Sequence, residues 1–256
     1  MADTEQKAEN KVIEVKTRIK EVITVVMSII ISLGIIVYVP AGQRIISNLL
    51  NSLWQSVTVD VSKPAIYLYP EEKTDIDVIV DPAVHEFSTT YPNYGNDGWH
   101  VIAYPDGRIE NKADGETYSY LFWESDDGIT PFDMSTGFCI RGSETQRFLD
   151  ETLTNLGLNE NEKHDFIVYW LPLMEHNEYN LISFQYENYS ENNKLSVTPE
   201  PDSVLRVFMA FEGLDKPVSI IPQEIRPFKR KGFTVVEWGG TEISGIKAKI
   251  KYGSIR

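Results

Sequence analysis

The stretch KPAIYLYP (Lys63–Pro70) limits this chain's options more than any other. Ala65 to Tyr69 is apolar or aromatic without a break. A strand with one wet face alternates, so an unbroken run predicts a strand covered on both faces. Proline cannot donate to a sheet ladder, so Pro64 and Pro70 mark the ends of that strand, and PEEKTD is the turn leaving it. Whatever fold the chain adopts must supply a layer on each side of these residues.

The residues around it read as short strands. Val57, Val59 and Val61 share one side, and Ile76, Val78 and Val80 share another. Trp99 to Tyr104 is a strand, Pro105-Asp106-Gly107 a tight turn, and Arg108-Ile109 the start of the return. Asp114-Gly115 turns into a further strand ending at Trp123-Glu124. The period then changes. Ser143 to Gln146 has capping-box form, and Phe148, Leu149, Thr152, Leu153 and Leu156 give a helical face. Asn159 to Glu162 repeats the start signal for a second helix with Phe166, Ile167, Trp170 and Leu171 inward, stopped by Pro172. Gly157 separates the two. Strands resume at YNLISFQY, SVLRVFMAF, VSII and GFTVVEW, with ENYSENNK as a polar loop. The pattern predicts an α+β domain over residues 58–256: mostly antiparallel, sandwich-like sheet with an inserted helical hairpin.

Ahead of that domain lies VITVVMSIIISLGIIVYV, residues 22–39, within a charge-free interval from Glu21 to Arg44. As a helix it spans about 27 Å, close to the hydrocarbon thickness of a bilayer. A cleaved signal peptide is the rival reading, but the run is long for one and VPAG makes a poor cleavage site. Five basic residues precede it (Lys7, Lys11, Lys16, Arg18, Lys20) and only Arg44 follows closely. The positive-inside rule then places residues 1–21 in the cytoplasm and the main domain outside the cell membrane. Residues 40–57 form an amphipathic helical linker with Ile45, Ile46, Leu49, Leu50, Leu53, Trp54 and Val57 at helical spacing. Such a face can lie on the outer leaflet, pack on a partner or dock on the domain.

Charge narrows the partners. The chain carries a formal net charge of −14, and from Asp60 onward it holds 18 basic and 33 acidic residues. Nucleic acid is excluded as a partner class, because backbone phosphates need a basic face. The single cysteine, Cys139, allows no intrachain disulfide and reads as a small buried apolar side chain.

Five stretches, KPAIYLYPEE, YSYLFWE, GLNENEKHDFIVYWLPLMEHNEYNLISF, LRVFMAFEGLDKPV and GFTVVEWGG, occur in this order. Together they resemble an uncharacterised family of bacterial proteins with a Lys-Pro-x-Ile-Tyr-Leu-Tyr-Pro signature. The resemblance covers roughly residues 62–244. It implies a single domain in an exported or membrane-anchored protein and supplies no catalytic residue.

The chemistry visible in the residues is sparse. His85, His100, His164 and His176 fall in no metal-binding frame, so no metal or other cofactor is expected. ESDDG (Glu124–Gly128) is oxygen-rich but lacks the spacing of a calcium loop. EWGG (Glu237–Gly240) reads as a tight turn. Lys63, at a strand start, reads as a solvated residue blunting a sheet edge, with an isopeptide crosslink as the sharper alternative. The leading functional expectation is a non-enzymatic surface or assembly protein that binds a cell-wall glycan or a protein partner. Trp99, Tyr104, Tyr120, Trp123 and Trp238 are its candidate binding aromatics, with Tyr118 beside them. The alternative is an extracellular polysaccharide hydrolase. Glu124 follows Trp123 and Glu237 precedes Trp238, and glycoside hydrolysis needs two carboxylates about 5–10 Å apart.

Overall fold

A computed structural model describes residues 62–82, 86–125 and 132–243. The expected membrane span at 22–39, the linker at 40–57, His85, most of the ESDDG run and the tail from 244 lie outside the described residues. No helix among the described residues is long and apolar enough to cross a membrane.

The described chain is β-rich. Eight strands form one sheet in the order β12, β8, β9, β11, β13, β1, β7, β3. They are β1 (Ser62–Tyr69), β3 (Phe87–Tyr91), β7 (Leu121–Ser125), β8 (Thr136–Arg141), β9 (Tyr179–Gln185), β11 (Ser203–Leu214), β12 (Ile221–Pro222) and β13 (Thr234–Glu242). Five strands form a second sheet in the order β10, β2, β4, β5, β6: β2 (Thr74–Pro82), β4 (Trp99–Ala103), β5 (Ile109–Asn111), β6 (Thr117–Tyr118) and β10 (Asn193–Thr198). Pairing is antiparallel except for β11 with β13 and β8 with β12. Helix α1 (Thr145–Leu156) and helix α2 (Glu160–Met174) form the hairpin, and α3 (Glu187–Asn192) is a short helix before β10.

β1 holds the layers together. It pairs with β13 on one side and β7 on the other. Ala65 and Tyr67 join a core cluster with Leu149, Leu153, Phe166 and Trp170 of the hairpin. Ile66 and Leu68 join a second cluster with Ile76, Val78 and Val101 of the five-stranded sheet. The expected two-sided burial is present: Ala65, Ile66 and Leu68 are wholly buried. Each fully buried Ile or Leu contributes about 1.5–3 kcal/mol.

Lys63 departs from its expected role. β1 is central, so there is no edge to blunt. Instead the register shifts between Ser62 and Ala65, and Lys63 stands at that bulge with φ of 61°. Its ammonium lies 4.6 Å from the Phe122 ring centroid and 5.3 Å from that of Tyr169, a half-buried setting rather than a solvated one. EWGG is likewise no turn but the middle of β13. A Cβ on Gly239 would come within 3.2 Å of Pro64, and one on Gly240 within 2.7 Å of the Trp170 ring. The glycines clear space for the bulge and the hairpin.

Local signals were kept or overridden for identifiable reasons. Asn159 and Glu162 make the reciprocal capping box that starts α2, and Gly157 caps α1 at φ of 101°. The capping-box form at Ser143–Gln146 is not used: a 3₁₀ turn occupies Gly142–Glu144, and α1 begins without a side-chain cap. Pro172 does not stop α2, which continues to Met174. Only the carbonyl of Val168 loses its partner there, and that turn faces solvent. ENYSENNK is not a loop. Tyr189 is the buried residue of α3, and the residues after the helix pair with β2, Leu195 opposite Val80. The strand read as continuous to Glu124 is broken at Ser119-Tyr120, where the chain leaves the five-stranded sheet for the eight-stranded one. Cys139 is half-buried, its sulfur accepting from the Val218 N–H at 3.4 Å.

Candidate functional site

Strand periodicity fixes which side chains can meet. On β7, Phe122 and Glu124 share the face turned toward the helical layer, with Tyr120 just before the strand packed against Tyr67, while Leu121, Trp123 and Ser125 are buried on the opposite side. One row crosses the sheet through Trp238, Ala65, Phe122 and Tyr91. Cover thins along that row. Trp238 is 1% exposed beneath the hairpin, Phe122 is half-buried, and Tyr91 on β3 is 61% exposed.

α2 walls this open strip. Asn161, Asp165 and Tyr169 recur every four residues and so form one stripe about 12 Å long. Asp165 accepts from the Tyr67 hydroxyl at 2.8 Å, and Tyr67 accepts in turn from the Trp238 indole at 3.2 Å. The Tyr67 ring lies 5.3 Å from Tyr120 and stacks parallel with Tyr69 at 6.5 Å. Tyr91 and Tyr118 meet edge-on at 5.2 Å. The strip ends in a cavity of about 330 Å³ lined by Tyr67, Tyr69, Asn161, the turn Asp106–Arg108 and Thr117–Ser119. Gly107, at φ of +87°, lets that turn press on Tyr69; a Cβ there would stand 2.7 Å from the ring. Tyr69 is held from behind by Asn159, whose amide donates to its hydroxyl at 3.1 Å, and by the Glu162–Arg230 ion pair.

These hydroxyls remain protonated donors. Burial, then the Asp165 carboxylate, pushes the Tyr67 hydroxyl far above the ordinary tyrosine value. Burial and Glu162 do the same to Tyr69. Loss of hydration and Asp114 push Tyr118 up to about 12, and burial with Asp165 raises Tyr120. The groove therefore offers neutral phenols, flat ring faces and amide, carboxylate and cationic groups at its rim. Those are means of binding and orienting a polar ligand with planar faces.

The sequence candidates separate. Tyr120 lies in the groove. Tyr104 stands beside the cavity with the Arg108 guanidinium 3.6 Å above its ring, its hydroxyl donating to Glu110 at 3.0 Å. Trp99, Trp123 and Trp238 are buried in the core, where no ligand ring can reach them. Glu124 and Glu237 are not brought together. Glu124 faces the helical side of the sheet and accepts from the Lys63 N–H at 3.3 Å. Glu237 lies wholly buried between the sheets, bound to Arg206 Nε at 2.6 Å and to the Trp123 indole at 3.1 Å. They occupy opposite faces, so this pair has no acid/base geometry across a common substrate. Tyr67, Tyr69, Tyr91, Phe122, Asn161 and Asp165 were not anticipated. For Phe122 the signal is alternation along β7, and for Asn161 and Asp165 a four-residue repeat on α2, but each reads equally well as core; Tyr67, Tyr69 and Tyr91 carry no such signal. His100, on the five-stranded sheet, sits between Asp77 and Asp97. Among the described residues no cluster of His, Cys, Asp or Glu suits a metal ion.

An uncharacterized protein in the bglA 3′ region of Butyrivibrio fibrisolvens is 44% identical to this chain over 69 residues, covering 26% of this chain and 69% of that protein. No protein-family model matches the chain. No solved structure matches it.

Proposed function

We propose a function for a chain that belongs to the same family as the uncharacterized protein of the Butyrivibrio fibrisolvens bglA 3′ region: it is a membrane-anchored, extracytoplasmic protein that binds a cell-wall glycan in its tyrosine-lined groove. The observation that carries this reading is the row from Trp238 to Tyr91, where an aromatic strip emerges from under the hairpin and stays open beside α2. Ring faces favour flat, apolar patches such as those of sugar rings, and the rim amides and carboxylates suit hydroxyl groups. Anchoring rests on the charge-free run at residues 22–39 and the basic residues before it. Binding without chemistry is favoured because the groove hydroxyls stay protonated and no activated nucleophile stands among them.

One experiment tests binding and placement together. Intact cells expressing the full-length protein are incubated with a panel of fluorescent cell-wall glycan fragments. The expected result is surface labelling that external protease abolishes, and that Tyr91→Ala or Tyr120→Ala weakens about tenfold, the loss of one good stacking contact. Labelling only after lysis would move the domain inside the cell. Labelling untouched by either substitution would remove the groove from the function.

A further inference from the structure

The groove's charged groups are not in equivalent states. Its carboxylates already have donors within the chain. Asp165 accepts from Tyr67 at 2.8 Å, Glu124 from the Lys63 N–H at 3.3 Å, and Asp106 from the Arg108 N–H at 3.1 Å. Its cations have no such commitment. Lys112, Lys163, Arg206, Arg226 and Arg230 elsewhere in the domain are held in ion pairs, while Lys73 and Arg141 lie over rings as the groove cations do. Lys63 and Arg108 make no ion pair among the described residues; each lies over an aromatic ring instead.

Lys63 carries a second mark. It is the only non-glycine among the described residues with positive φ, a conformation that costs free energy for any residue with a Cβ. Glycine would relax that bulge. The bulge holds the lysine with its ammonium over Phe122 and Tyr169, at the Glu124 end of the groove, while Arg108 lines the cavity at the other end. Lys63, partly stripped of water and in no ion pair among the described residues, is set to receive an anion, and exposed Arg108 offers a second contact.

We propose that the groove selects an acidic glycan, one whose sugar rings stack on the open aromatics while its carboxylates reach Lys63 and Arg108. This rests on the glycan-binding reading above and names the ligand's charge class. The domain's net negative charge opposes approach of a polyanion at long range. At 0.1–0.15 M salt that repulsion is screened beyond about 8–10 Å, whereas contacts at Lys63 and Arg108 are not.

The test uses full-length protein in detergent micelles and measures dissociation constants for galacturonan, alginate and hyaluronan fragments. Each is paired with its methyl ester, which keeps the rings and removes the charge. A polyglutamate of similar length is the peptide control. The expected result is at least one acid form bound about tenfold or more tightly than its ester, the scale of one charge-assisted hydrogen bond. Lys63→Met and Arg108→Gln should each bring that ratio toward one, while Lys63→Arg preserves the preference. Arg108 sits on an exposed turn, so its substitution does not threaten folding. Esters bound as tightly as acids would overturn the acidic-ligand inference and leave glycan binding standing. Polyglutamate bound as tightly as the best acid glycan would overturn it in favour of a peptide. Binding of none of these fragments would defeat both readings.

Discussion

Glu237 shows how far one side chain's role depends on what surrounds it. By residue type and its neighbour Trp238 it could be an acid catalyst at a surface. In the structure it is wholly buried, takes Arg206 Nε at 2.6 Å and the Trp123 indole at 3.1 Å, and ties β13 to β11 and β7. The Arg206 guanidinium also lies 4.7 Å from the Tyr189 ring and donates to the Asn193 carbonyl, so the pair connects α3 and β10 to the large sheet. Removing one partner strands the other charge in a dry interior. Glu237→Ala should therefore cost about 3–5 kcal/mol in urea unfolding. A variant as stable as the parent would mean that water reaches Arg206 and the pair is not structural.

Among elements, β1 is the one whose environment follows most directly from its residues. Two prolines and five apolar residues specify a central strand, and both neighbours and both covering layers are in place. Leu68→Ala opens space between the sheets and should cost roughly 2–5 kcal/mol. Equilibrium unfolding would show it as a lower midpoint with an unchanged denaturant slope. A slope that falls as well would mean that the sheets part before the hairpin does. α3 and β10 were hidden for the opposite reason. Asn188, Ser190, Glu191, Asn192 and Asn193 read as loop by composition, and what fastens them to the core comes from distant segments: Tyr189 stacks on Phe208 at 4.2 Å, and the Asn193 carbonyl accepts from Arg206.

At the scale of the molecule, contacts between segments apart in the chain decide stability, and one of them, within the five-stranded sheet, is sensitive to pH. His100 on β4 faces Asp77 of β2 through Nδ1 at 2.5 Å and Asp97 of the preceding loop through Nε2 at 3.2 Å. Carboxylates only accept, so both ring nitrogens must carry hydrogen, and the hydrogen bonds from Asp77 and then Asp97 raise the histidine's pKa. The sign follows from linkage. The clasp's contribution is fully present below the unfolded value near 6.5 and disappears as pH rises through the raised folded value. Unfolding of the parent and of His100→Gln, compared from pH 5.5 to 9, should show a gap that closes as pH rises. A gap constant with pH would mean that the imidazole acts by packing alone. Because this ring is partly exposed, the gap is expected to be small and reduced by salt.

The groove belongs to the same scale. Alternation over Leu121–Ser125 and the repeat Asn161, Asp165, Tyr169 fix which residues share a face. They leave open which face another layer covers, because a period of two or of 3.6 carries no information about partners distant in sequence. The caps at Asn159 and Gly157 and the turn at Gly107 were legible in the sequence because each depends on bonding within a few residues; the unbroken apolar run Ala65–Leu68 demanded a layer on each face without saying which segments supply them. Only the tertiary structure decided that Trp99, Trp123 and Trp238 are core while Tyr91 and Phe122 line an open strip, and that Glu124 and Glu237 face apart. It also decided that Lys63 and Arg108, with no ion pair among the described residues, lie over aromatic rings at the two ends of the groove. Burial and ion pairing are set by which layer lies across each face, and that depends on contacts between segments far apart in the chain.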